Sequence, residues 1–208
     1  VSRLSATALG ALGTAQVVAL STGQAAALTI AQVAGLASTQ LRAMETADLA
    51  ALTTAQVRAL GVVALGALTS AQLGALGSAQ VAAMTTGQVA QLSTAAMGGL
   101  TTAGIRGLTT AQLEAMTTAQ LSRVSGTAFS GLGTAQVVAL STEQTSALTT
   151  AQIAALTSAQ ARAIETADLA ALTTAQVRAL SAAVLAALTT GQVSALTTEQ
   201  AQPLTSAQ

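Results

Sequence analysis

Three observations predict an all-α chain folded as a tightly wound solenoid of short capped helices, one per eight-residue repeat. First, Leu or a stand-in recurs every eight residues from Leu4 to Leu204, at 26 positions. Twenty-one of these are Leu, and the others are Met44, Met84, Met116, Val124 and Ile164. Second, each octad carries a helix-start signal: position 2 is Ser or Thr in 19 copies and position 5 is Gln in 18. Third, no continuous element tolerates a period of eight. A strand alternates with period two, so position 1 and the apolar position 6 would face opposite sides; a β-rung survives only with a bend between them. An unbroken helix turns about 100° per residue, so its apolar stripe drifts about 80° per octad. Coiled coils need periods near 3.5 or 3.67.

The octad Leu52–Ala59, LTTAQVRA, shows how the local signals combine. Thr53-Thr54-Ala55-Gln56 is a capping box, with the Thr53 hydroxyl accepting from the Gln56 N–H and the Gln56 side chain reaching back to the Thr53 N–H. Leu52 and Val57 then occupy the two positions of a hydrophobic staple. Leu60 closes the helix and staples the next one. Glu45-Thr46-Ala47-Asp48 fits the same scheme with acids at both capping positions, favourable near a helix N-terminus. A helix this short does not persist alone, because nucleation is costly. A cap contributes about 1 kcal/mol against about 1–2 kcal/mol for ordering each residue. Stability therefore has to come from stacking successive coils with Leu and Val turned inward. Ala and Gly at positions 4, 7 and 8 let the coils approach.

Taken in order, Val1-Ser2-Arg3 reads as the end of an octad whose start is missing, and the expectation is a segment of a longer array. The whole of 1–208 reads as one repeat array with a longer period superimposed. Leu12–Thr22 recurs unchanged as Leu132–Thr142, and Glu45–Leu60 as Glu165–Leu180, both 120 residues or 15 octads later. Residues 1–120 thus form one long unit and 121–208 an incomplete second. The octads at Leu4, Leu60, Val124 and Leu180 replace Gln with Ala8, Ala64, Ala128 and Val184, followed by Leu9, Leu65, Phe129 and Leu185. A superhelix that repeats its azimuth about every 7.5 octads would align these along one side, as a lateral seam. The glycine-rich stretch Gly98–Gly107 reads as the most flexible point, and Pro203 as a kink.

Composition closes off most chemistry. The chain has no Cys, His, Lys, Asn, Trp or Tyr, and Phe129 is its one aromatic residue. The usual nucleophile–base pairs cannot be built, phosphate-loop and dinucleotide signatures are missing, and no zinc ligand other than carboxylate exists. An enzyme is therefore not expected, and no catalytic, cofactor-binding or metal-binding residue is assigned. Seven Arg balance seven acids, which leaves no basic footprint for nucleic acid. Polar residues interrupt every octad, so no apolar run reaches the length of a membrane span. The clustered charges are Arg42, Glu45, Asp48 and Arg58, with copies Arg162, Glu165, Asp168 and Arg178. Their carboxylates are hard oxygen ligands of the kind cations take, but flanking Arg opposes a cation. Capping with Arg–carboxylate pairing is the reading adopted. Rows of Thr suggest an ice-binding face, a reading set aside because capping already accounts for the Thr.

Octads of the LTTAQVRAL type resemble the tandem repeats of very large, low-complexity surface or secreted proteins of bacteria. The resemblance covers all 208 residues through LTTAQ and its variants. It implies an extracellular or cell-surface structural module, a rigid stalk or filament segment. The partners expected are neighbouring repeats of the same chain or further copies. The alternative is a binding scaffold of adhesin type, which would concentrate sequence variation on one face; positions 2 to 5 vary little.

Overall fold

The computed structural model describes residues 3–202, 204–206 and 208; Val1, Ser2 and the expected kink at Pro203 lie outside the described residues. The chain is an all-α solenoid of short helices. Twenty-five α-helices of four to six residues follow one another among the described residues, from Ala6–Gly10 to Thr198–Ala201. None is long and apolar enough to cross a membrane. The helices fall into two compact units, Val1–Leu108 and Thr109–Gln208.

The cap falls in the expected phase. In the helix Thr54–Ala59, Thr53 is the N-cap, with φ −70° and ψ 160°. Its hydroxyl accepts from the Gln56 N–H at 3.2 Å, and Gln56 Oε1 accepts from the Thr53 N–H at 2.6 Å. The helix ends as the Leu60 N–H donates to the Val57 carbonyl, at 3.2 Å. Leu60 itself is extended, with φ −57° and ψ 137°. Two extended residues per octad, positions 1 and 2, thus form the corner between helices. Where position 2 lacks a hydroxyl, at Gly13, Ala37, Gly77 and Gly133, the Gln half of the box remains. Both Glu N-caps depart from expectation: neither Glu45 nor Glu165 makes a side-chain cap hydrogen bond.

What stacks the coils is the other end of the same Gln side chain. In the first unit, Gln72 Nε2 donates to the carbonyls of Leu41, Arg42 and Met44 at 3.0, 3.1 and 2.9 Å. Gln40, Gln80 and Gln88 make the same three bonds to residues 31, 30 and 28 positions earlier. Within the second unit, Gln160 and Gln200 repeat the pattern on Phe129, Ser130 and Leu132 and on Leu169, Ala170 and Leu172. A helix end leaves orphan N–H groups at its start and orphan carbonyls at its finish. One Gln satisfies an N–H of its own helix and the last carbonyls of a helix in the coil before. The amide is buried, as Gln72 at 3% exposure illustrates, and such burial is tolerable only with every polar atom paired.

These bonds fix the coil size. Helices pack against the third helix along in both units, while the Gln bonds reach back 28–31 residues. Close backbone approaches, such as Gly66 to the Gln91 carbonyl, reach 25. The offsets centre on 28 residues, so each coil contains about three and a half octads. Two coils make seven octads, which places the Leu4 and Leu60 octads in line within the first unit.

That alignment does not make a seam. Leu9, Leu65 and Phe129 are 1%, 0% and 0% exposed, and Leu185 is half-buried. All four occupy position 6, the innermost position, which also buries Val57, Leu73, Ile105 and Leu113. Ala at position 5 makes these octads look greasier without changing which way position 6 points. Position 1 lines the corners and is also buried through most of the chain, as at Leu52 and Leu172.

The glycine-rich stretch, the expected flexible point, packs closely on the coil before it. A Cβ at Gly99 would run into the Ser70 carbonyl, and one at Gly107 into the Ser78 carbonyl. No described glycine has a positive φ, so these positions need glycine for the approach of one coil's backbone to the next.

The two ends of Gln separate experimentally. Gln72→Ala removes the cap acceptor and leaves buried carbonyls unpaired, and should cost roughly 2–4 kcal/mol in denaturant unfolding. At exposed Gln24 the side chain makes the cap bond at Ser21 and no inter-coil bond among the described residues. Gln24→Ala should cost about 1 kcal/mol. Thr53→Ala should likewise cost about 1 kcal/mol, with Thr54→Ala costing clearly less. For the core, Phe129→Ala should destabilise by roughly 3–5 kcal/mol without changing the state of association.

Candidate functional site

The charged cluster and its copy are where acids enter the capping positions of the octad, and the structure separates their members. Arg42, Glu45 and Arg58 are exposed, while Asp48 is 1% exposed. In the second unit Arg162, Glu165 and Arg178 are exposed, and Asp168 is 4% exposed. Arg occupies position 7 and points outward; Arg42 lines a surface groove with Gly66, Ser70 and Ser93. Among the described residues no ion pair joins Arg42 or Arg58 to Glu45 or Asp48. Glu45 and Glu165 thus take the expected N-cap positions, with Asp48 and Asp168 in the first turn, but without a side-chain cap hydrogen bond from either Glu, and the expected Arg–carboxylate pairing is not seen in the first unit.

Asp48 and Asp168 stand at position 5, where Gln joins the coils. A carboxylate accepts hydrogen bonds and, when ionised, donates none, so neither Asp can repeat the inter-coil bonds of Gln. Asp168 Oδ1 accepts from Thr142 Oγ1 at 2.6 Å. In the first unit the sequence counterpart Thr22 is exposed, and Asp48 Oδ2 is buried without a hydrogen-bond partner. Among the described residues no group of three or more acidic side chains gathers into a metal centre.

Ser and Thr hydroxyls, numerous as they are, have structural tasks at position 2. Several both accept from the helix N–H and donate to the Gln carbonyl oxygen, as Thr173 does to Gln176 at 2.9 Å.

The inter-coil bond was the feature least visible from sequence, although one signal pointed to it. Glu caps a helix as well as Gln does in the S/T-x-x-E/Q box. Yet position 5 holds 18 Gln and no Glu. Only an amide has both the acceptor that the cap needs and the donors that the neighbouring coil needs.

No curated protein matches the chain. The ALTTAQ repeat profile matches residues 41–77, 64–94, 94–125, 127–160 and 161–198. The matched segments together take in nearly all of residues 41–198, and the name of the profile spells the corner, cap and inter-coil residues described above. The capped, Gln-joined octads make a structural repeat module. The chain belongs to the ALTTAQ repeat family.

Proposed function

We propose that the chain is an extracellular spacer: a rigid stalk segment of a bacterial surface or secreted protein, which spans distance and carries no chemistry of its own. The observation that supports this reading is the self-propagating register of the Gln bonds. Each coil receives its neighbour through donors on one side and carbonyls on the other, so length is added by adding octads, with no new element. The 15-octad long unit, 1–120 with its incomplete successor 121–208, is on this reading a larger module of the same kind. No catalytic, cofactor-binding or metal-binding residue is needed for such a role.

The surface is consistent with a spacer. Positions 3 and 4 are mostly Thr or Ser followed by Ala, and they are exposed in octad after octad. A binding scaffold would vary these positions. Assembly of separate copies is the finer alternative within the structural class. Leu185, Leu188, Val193 and Leu196 line an open apolar notch of about 180 Å³ in the last coil. Val193 is 52% exposed there, a face that a following coil of the same chain would cover.

Adding 28 residues in register after Gln208 should lengthen the particle by about 8–10 Å, the usual distance between packed helices, at constant cross-section in small-angle scattering. The spacer reading fails if added octads collapse onto the array or leave its length unchanged. Sedimentation across a concentration series distinguishes the filament version, in which the unextended chain associates and the extended chain behaves alike.

A further inference from the structure

We propose that the two octads in which Asp replaces Gln are sites for a hard metal cation, Na⁺ or Ca²⁺. The ligands are Asp48 with the carbonyls of Val18 and Leu20 in the first unit, and Asp168 with the carbonyls of Val138 and Leu140 in the second. The carbonyls are identified by register. On either side of Asp48, Gln40 donates to Leu9, Gly10 and Leu12, and Gln56 to Ala26 and Leu28. On either side of Asp168, Gln160 donates to Phe129, Ser130 and Leu132, and Gln176 to Ser146 and Leu148. The acceptors 30 and 28 residues before Asp48 are Val18 and Leu20, and those before Asp168 are Val138 and Leu140.

At these two places the amide donor is gone and an acceptor stands in its place; in the second unit the Thr142 hydroxyl, which donates to Asp168 Oδ1 at 2.6 Å, supplies one hydrogen but no charge. The carbonyls at a helix C-terminus carry partial negative charge, and a carboxylate set against them needs a positive partner. Asp48 Oδ2 is buried and unpartnered. The cationic side chains nearest in sequence, Arg42 and Arg58, are exposed, so the objection that flanking Arg repels a cation does not hold for this buried oxygen. The dimensions agree. Gln nitrogen meets its carbonyls at 2.6–3.3 Å across the series. Asp is one methylene shorter, which opens a further gap of about 1.5 Å, one C–C bond. A cation bound to an oxygen on each side at about 2.4 Å spans up to about 4.8 Å, which matches the enlarged gap. One carboxylate with neutral carbonyls suits Na⁺ or weakly held Ca²⁺, with water completing the shell.

An independent feature of the sequence points to the same pairing. The two stretches that recur unchanged after 120 residues are Leu12–Thr22 and Glu45–Leu60. The first supplies the carbonyls and the second supplies the carboxylate. Elsewhere the long units diverge: Gly23-Gln24-Ala25 becomes Glu143-Gln144-Thr145.

The test is thermal unfolding of the whole chain, followed by circular dichroism in choline, sodium, calcium or magnesium chloride at fixed ionic strength. Calorimetric titration with CaCl₂ and ²³Na relaxation measure binding directly. The melting temperature should rise in NaCl or CaCl₂ over choline chloride, and the two salts show which ion is held. Asp48→Gln with Asp168→Gln restores the amide and should fold without the ion, abolishing both the salt response and the binding. Asp48→Gln alone should halve the number of ions bound. The proposal is overturned by a melting temperature indifferent to the cation or by a response that the double variant keeps.

Discussion

Everything in the fold depends on one side chain bridging the ends of two helices. A helix of one or two turns is almost all terminus, so its main chain is dominated by unpaired groups. Twenty-five such helices would be untenable if each had to solve that problem alone. Gln at position 5 solves it pairwise: Oε1 takes an N–H where its own helix begins, and Nε2 gives to carbonyls where an earlier helix ends. In Gln152 the side chain is 0% exposed, with Oε1 bonded to Thr149 N at 2.8 Å and Nε2 to Leu121 and Val124 at 2.7 and 2.8 Å. Local structure and coil stacking therefore cannot be separated. A polar residue at the centre of the packing also specifies register, because a slip would leave the amide and its carbonyls unpaired at once.

The apolar positions follow from the same geometry. Position 6 lies one residue after the Gln and is driven inward beside it, while position 1 turns the corner. Helices thus contribute one deep side chain and one corner side chain each, and the core is correspondingly thin. Close approach of backbones takes the place of bulk. That is why the small residues matter, and why Gly74, whose added Cβ would lie 2.8 Å from the Gly99 carbonyl, belongs to the packing and not to a hinge.

The cap, its phase and the inward positions were legible in the sequence because they are local. Thr53, Gln56 and Val57 determine one another within five residues. The coil size was not legible, and periodicity is the reason: when every octad is nearly the same, the sequence does not say which octad faces which. The same blindness produced the lateral seam, where Ala at position 5 was read as extra greasiness at an outer face although phase already put Leu65 and Phe129 inside. Gly98–Gly107 was read through the intrinsic freedom of glycine, whereas a second property, the absence of a Cβ, is the one the coil uses. The charged cluster was read as a set of neighbours in sequence. Phase separates Asp48, inside, from Arg42 and Arg58, outside.

A repeat built this way tolerates change unevenly. Positions 3 and 4 mostly face solvent, so most substitutions there alter the surface, apart from the few places where position 3 touches the next coil, as Ser38 does at the Val63 carbonyl and Thr142 at Asp168. At position 5 the alternatives are narrower, and those present fall into two kinds. Ala, Gly and Val, at Ala96, Gly104 and Val184, drop both the acceptor and the donor and leave a small or apolar group buried. Asp keeps oxygen and charge while removing the amide donor, which leaves Asp48 Oδ2 buried without a partner and Asp168 held by the Thr142 hydroxyl. An apolar replacement weakens one joint between coils. An acidic one creates a local deficit of positive charge, and it does so at the same octad of both long units.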